Sequence, residues 1–399
     1  MPNIRRGMMA AAGAAGGGDG GALFRSGYNA QGEIGDGTTV DRRALNPAFV
    51  QIGSDTDWEW NSASGSSTDQ KATGYGVKTD GTAWIWGYAA YGKLGNGTTT
   101  PNICSPIQVG SLTDWKQMNG GGFHSAAVKT DGTLWVWGRN NYGQLGLGTT
   151  TDYSSPVQVG SLTDWEYVAC SYGVTSGLKT DGTVWGWGQG WQGSLGQGNQ
   201  TDFSSPVQLG SYTDWTYISR NNGNTQPYFF GVRGGTFETP AGTLWVCGDN
   251  TNGSMGTGNT TAYSSPVQIG SLTNWSKPEA GLMGGCAVKT DGTAWAWGYG
   301  YQGLNMDENT SAPWPSSPVQ IGSLTDWSII KKAARYLTMA IKTDGTFWAC
   351  GKNTPICGST SLAKSSPIQI GSSTAWKSIG SSYGTTSMGI IGDGPVCPT

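Results

Sequence analysis

The one histidine of the chain, His124, is the natural place to look for acid–base chemistry. An imidazole acts as a general base when a nucleophile and an orienting carboxylate lie within hydrogen-bond reach, and no spacing in the sequence assigns either partner to it. Related segments carry Thr73, Val174 and Leu337 at the corresponding position, so His124 reads as a hydrogen-bonded structural residue. A single His also excludes a site built from several imidazole ligands. The seven cysteines (104, 170, 247, 286, 350, 357 and 397) are scattered and never form a CxxC pair, so neither a zinc site nor a disulfide framework follows from them. Cys247 and Cys350 stand where related segments carry Trp and read as small buried apolar residues, while Cys350 and Cys357 would bridge only if their backbones approach. The sequence has no phosphate-binding loop, no HExxH pair and no GxSxG with fitting partners. The expectation is a protein that is not an enzyme, with no catalytic residue, no metal and no cofactor.

Two recurring groups invite a binding role and are better explained by structure. Asp-Gly pairs such as Asp181-Gly182 suggest calcium, but an isolated Asp in a hairpin offers one ligand where calcium takes about six to eight oxygens. The pairs Trp84/Trp86, Trp135/Trp137, Trp185/Trp187 and Trp295/Trp297 resemble a sugar-stacking array. Their spacing of two places both rings on one face of a strand, where they pack between neighbouring structural units.

What positions these groups is visible in the composition. Of 399 residues, 67 are Gly and 20 are Trp, while charged residues are 12% and hydrophobic ones 36%. The Gly has no period of three, which excludes collagen, and this much aromatic content excludes disorder. With 23 Lys+Arg against 26 Asp+Glu the net charge is -3, so nothing is in excess to neutralise phosphates and no nucleic-acid partner is expected. No apolar stretch is long enough for membrane insertion by a helix. The opening MPNIRRGMMAAAGAAGGGDG carries Arg5 and Arg6 before a run of Ala and Gly, too weakly apolar for a signal peptide. Residues 1–18 are therefore read as a Gly/Ala-rich arm, docking on an assembly partner through Arg5 and Arg6, and residues 19–399 as one domain.

That domain is repetitive. KTDGTxWxWG occurs at Lys78 to Gly87, Lys129 to Gly138, Lys179 to Gly188 and Lys289 to Gly298, with variants at Thr239 to Gly248 and Lys342 to Gly351. A second marker Trp recurs at 58, 115, 165, 215, 275, 327 and 376, making seven units of about 50 residues. Each unit reads as four short strands: Pro156 to Val159, Trp165 to Ala169, Gly177 to Thr180 and Val184 to Trp187 in the third, with Asp181-Gly182 as a two-residue hairpin turn. Seven four-stranded units predict an all-β, seven-bladed β-propeller. The last copy stops before its fourth strand, and Gly20 to Asn29 aligns with Asp131 to Asn140, so the N-terminal strand is expected to complete the C-terminal blade and close the ring.

The segment DGTLWVWGRNNYGQLGLGTT, Asp131 to Thr150, and its copies from about Gly20 to Gly394 resemble the regulator of chromosome condensation repeat family. The resemblance implies a seven-bladed propeller. For function it implies only a range, from exchange factors and chromatin readers to ubiquitin-ligase modules and scaffolds. The first residues, MPNIRRGMMAAAGA, are weakly similar to the starts of virion structural proteins of tailed phages.

Strand direction separates two rims. The insertions Glu59 to Lys71 and Asn221 to Pro240 and the long connector Tyr301 to Pro315 are assigned to one of them, and the aromatics Trp191, Tyr228, Phe229, Phe230 and Trp314 are the candidate binding residues there. The reading that follows is a non-enzymatic structural or binding propeller in a larger assembly such as a phage virion surface, with protein partners and a host-surface glycan or protein as ligand, located on a virion or extracellularly. The alternative is an intracellular regulatory propeller, cytoplasmic, acting on a small GTPase or chromatin partner. A second alternative is a secreted carbohydrate-binding, lectin-like propeller.

Overall fold

The repeats fold into seven blades of four antiparallel strands, in a computed structural model that describes residues 20–41, 49–65, 71–220, 227–281, 283–299, 315–334, 337–351, 364–381 and 386–392. Arg5, Arg6, Trp314 and Cys357 lie outside the described residues. In blade 3 the strands are Trp165–Cys170, Val174–Lys179, Val184–Gly188 and Phe203–Gln208, paired in that order. The strand ending each repeat's Pro-Val-Gln therefore belongs to the blade before it: Tyr153–Gln158 pairs with Leu134–Gly138 of blade 2, not with the strand that follows it in the chain. This corrects the sequence reading, which made the Pro-Val-Gln strand the first strand of its own unit. The marker Trp opens the innermost strand of each blade, and these inner strands contact one another around the ring, from Trp58–Gly65 to Trp376–Ser381 and back.

Ring closure is more extensive than expected, because the N-terminus contributes two strands. Ala22–Gly27 pairs with Thr386–Ile391 from Ala22↔Ile391 to Gly27↔Thr386, and Val50–Gln51 adds the outer edge at Phe24↔Gln51. Blade 7 is thus half N-terminal and half C-terminal, which pairs edges that would otherwise template aggregation.

The Asp-Gly turn is a three-residue loop rather than a two-residue one. Lys129 N donates to Thr133 O at 3.0 Å and Gly132 N to Lys129 O at 3.0 Å, with Gly132 alone at positive φ, 80°. A Cβ on Gly132 would meet Thr163 O at 2.0 Å, so only Gly lets this turn dock on the turn that precedes the next blade. At the other end of the blades the described connectors clamp their neighbours: Gly97 N donates to Ser154 O at 2.8 Å and Gly148 N to Ser204 O at 2.7 Å. The connector Leu94, Leu145 and Leu195 are buried beneath these clamps. Glycine thus lets backbone approach backbone at the Asp-Gly turns of Gly81, Gly132, Gly182, Gly292 and Gly345 and at the described connectors.

Candidate functional site

The repeat motif itself is a structural knot. Asp131 Oδ1 accepts from Thr133 N at 2.9 Å and from its hydroxyl at 2.7 Å, and Trp135 Nε1 donates to the same hydroxyl at 2.9 Å. Lys129 Nζ lies 5.0 Å from the Trp115 ring centroid and 4.5 Å from that of Trp135, with Asp114 at 3.4 Å. Lys78, Lys179, Lys289 and Lys342 sit between tryptophans in the same way. The second Trp of each pair, Trp86, Trp137, Trp187 or Trp297, is fully buried, as a core role requires. The Asp carboxyl is occupied by its own turn; hydrogen bonding from Thr293 holds that of Asp291 below the usual carboxylate range.

His124 is buried in blade 2. Thr175 Oγ1 gives its proton to Gln144 O at 2.8 Å, so the 2.9 Å contact with His124 Nε2 requires the ring to donate there, leaving Nδ1 unprotonated and without a partner. Burial, then the nearby Lys93, push the imidazole down to about 3. It is neutral and sealed, which fits the structural reading. Lys93 is also fully buried; its ammonium donates to Ser64 Oγ at 3.0 Å, Gly121 O at 2.9 Å and Gly122 O at 3.0 Å, and burial lowers it to about 7.

The central channel is lined by inner-strand residues including Asn61, Asn119, Tyr167, Ser219, Glu279 and Lys331. Glu279 accepts from Tyr217 at 3.0 Å and pairs with Lys331 at 3.0 Å. The cavity between them is about 20 Å³, room for water but not for a substrate.

Three of the five aromatics expected on the variable rim are core. Tyr228, Phe229 and Phe230 begin the strand Tyr228–Gly235 and are 0% exposed. From Tyr228 onward the stretch Asn221 to Pro240 is not a rim insertion: it forms the lengthened hairpin between Tyr228–Gly235 and Pro240–Gly248, whose tip lies on the opposite, Asp-Gly rim, while residues 221–226 lie outside the described residues. There Phe237 packs on Tyr167, with ring centroids 6.0 Å apart. The sequence signal was Pro240-Ala241-Gly242 in place of the usual Thr-Asp-Gly, marking a lengthened hairpin.

Trp191 is where the sequence reading placed it, 42% exposed on the connector rim. The sequence reading missed a separate aromatic group on the same rim, formed around the connector of blade 1. Tyr91, 39% exposed, stands 5.4 Å from Phe123, which stands 5.5 Å from Tyr172; Arg139 lies 4.7 Å over Tyr91 and 5.4 Å over Phe123. Tyr91 (φ 61°) and Gln192 (φ 55°), each preceding a connector Gly, are the non-Gly residues at positive φ among those described. The available signal was an aromatic in or beside the x-x-Gly connector turn, in Ala90-Tyr91-Gly92 and Trp191-Gln192-Gly193.

These blades and motifs define an RCC1-like β-propeller. The regulator of chromosome condensation (RCC1) repeat matches at residues 80–128, 131–178 and 241–288, and a second model of that repeat at 115–144. The ultraviolet-B receptor UVR8 of Arabidopsis thaliana is 30% identical over 140 residues, 33% of this chain and 28% of that protein. The Homo sapiens protein named "Probable E3 ubiquitin-protein ligase HERC3" is 40% identical over 78 residues, 19% of this chain and 7% of the relative. The chain thus spans under a third of these relatives' lengths. Human WBSCR16 superposes with TM-score 0.74 at 19% identity, covering 94% of this chain and 99% of that one. Yeast RCC1 (Prp20), solved bound to Kap60, gives TM-score 0.74 at 15% identity, covering 94% of this chain and 89% of that one. At such identities the likeness is one of fold. None of these comparisons supports the N-terminal similarity to virion proteins.

Proposed function

We propose that this chain is a non-enzymatic, protein-recognising propeller of the intracellular regulatory kind, gripping its partner with the aromatic group on the connector rim of blades 1 to 3. The observation that carries the reading is the pair Tyr91 and Trp191: both are exposed, and both lie in connector turns that hold a non-Gly residue, Tyr91 itself and Gln192, in the left-handed region at a backbone cost. Arg139 over Tyr91 and Phe123 adds a rigid, partly desolvated cation of the sort enriched at binding hot spots. The repeat and structural relatives support a protein partner over a virion role, since the structural neighbour yeast RCC1 (Prp20) is solved bound to Kap60 and has binding properties to Gsp1p and histones. The test is quantitative affinity purification of the tagged chain beside a Tyr91→Gly/Trp191→Ala double variant. A defined partner should be recovered with the native chain and depleted at least tenfold with the variant; equal recovery by both would overturn the reading.

A further inference from the structure

We propose that the Asp-Gly rim, at the end of the blades opposite the aromatic group, is a second interaction surface that docks a protein segment presenting lysine or arginine side chains among aliphatic ones. Each turn entering a blade places an apolar residue in the core: Val109, Val159, Leu209, Ile269 and Ile321 are all buried. Three residues further on, each of these turns carries a second large apolar residue that the core does not bury, although Tyr212 also packs on Trp215, Trp245 and Arg233. These are Leu112, Leu162, Tyr212, Leu272 and Leu324, exposed by 36–48%. At the two junctions flanking the ring closure the position is Ser373 and Asp55, so the apolar arc is confined to five consecutive junctions.

Charge alternates with this arc. Trp115 N donates to Gly81 O at 3.1 Å, Trp165 N to Gly132 O at 3.0 Å and Trp215 N to Gly182 O at 3.1 Å, which sets the turns of Asp80, Asp131 and Asp181 beside those of Leu112, Leu162 and Tyr212. The cations of this sector are committed elsewhere. Lys78 pairs with Asp55 and Asp57, Lys129 with Asp114, Lys179 with Asp164 and Arg233 with Asp214, all four held against aromatic rings. Asp80, Asp131 and Asp181 are exposed, and none makes an ion pair to these cations. Glu238, at the tip of the blade 4 hairpin, adds a further exposed carboxylate on the same rim. A surface of regularly spaced carboxylates and leucines repels nucleic acid and anionic lipid and complements a basic, aliphatic protein segment.

The experiment measures binding of the full chain to three synthetic peptides of equal length: alternating Leu/Lys, Lys only, and alternating Leu/Glu. Two variants accompany it. Asp80→Asn/Asp131→Asn/Asp181→Asn removes charge while keeping an acceptor for the turn, as Asn96 and Asn199 accept from Thr98 and Thr201 in connectors. Leu112→Ser/Leu162→Ser removes two of the five apolar side chains of the arc, at exposed positions where the fold should tolerate the change. The Leu/Lys peptide should bind in preference to the other two, weaken with added salt, and lose at least tenfold in affinity with either variant, while Tyr91→Gly/Trp191→Ala leaves it unchanged. No binding of Leu/Lys, equal binding of the Lys-only peptide, or indifference to the leucine variant would overturn the proposal. Because the connector-rim variant tests the other face, the two readings fail separately.

Discussion

Leu23 and Ile390 face one another across one antiparallel ladder, both buried, although they stand near opposite ends of the chain. The ladder makes the ring's integrity depend on the strand Ala22–Gly27. Deleting residues 1–27 removes the strand Ala22–Gly27 and leaves Val50–Gln51 without its partner. The expected loss is several kcal/mol, roughly the burial of two or three apolar side chains plus an opened sheet edge. Thermal unfolding reads it; a truncated chain melting with the full-length protein would contradict the closure. Deleting residues 1–18 alone spares that strand and should leave the melting temperature unchanged.

His124 gives the fold an acid limb. Its folded value, about 3, lies below the 6.5 of the free side chain, so the unfolded chain binds the extra proton between these values. The stability it contributes is complete above pH 6.5 and is lost as pH falls towards 3, with a slope approaching about 1.4 kcal/mol per pH unit. His124→Gln, which retains a donor for Thr175, should flatten the urea-midpoint profile between these limits and change little at pH 8. A native-like slope in the variant would show that other groups set the acid limb.

The Asp-Gly turns make a contrasting prediction. Asp131→Ala removes the acceptor of two hydrogen bonds from Thr133 and should cost about 1–2 kcal/mol in chemical denaturation. Asp131→Asn should cost less than half of that. Calcium or a chelator should shift the melting temperature of neither; a calcium-dependent rise would assign the turn a ligand role.

Tyr91 separates binding from folding. Gly adopts a φ of 61° without strain, so Tyr91→Gly should leave stability within about 1 kcal/mol of native or raise it, against the loss of the ring's contacts with Phe123 and Arg139. Tyr91→Ala keeps the strained backbone and should be the less stable of the two. Denaturant midpoints in the opposite order would show that the turn is not strained by its side chain.

The fold was legible because each blade is a local object: the period, the Trp spacing and the Asp-Gly turns all lie within one unit of about 50 residues. The candidate site was only partly legible. Trp191 announced itself as an aromatic in a connector, whereas Tyr91, Phe123, Tyr172 and Arg139 come from different connectors and inner loops and meet only when neighbouring blades pack. Tyr228, Phe229 and Phe230 were misplaced because a three-aromatic run in a Gly-rich stretch has the composition of a loop, and only its pairing with Val246, Cys247 and Gly248 shows it to be a strand.

By itself the sequence determined the architecture, the blade count and the splitting of one blade between the chain ends. Those follow from periodic local propensities and from a unit that cannot bury its apolar face alone. The tertiary structure decided which strand belongs to which blade, since each blade takes its outer strand from the start of the next sequence repeat, so that blade and repeat boundaries are offset by one strand. It also decided which charges remain available. Lys129 and Asp131 lie two residues apart in one motif, yet packing withdraws the lysine between two tryptophans beside Asp114 and leaves the aspartate facing solvent. Burial and pairing are properties of neighbours contributed by other units, and no local pattern encodes them.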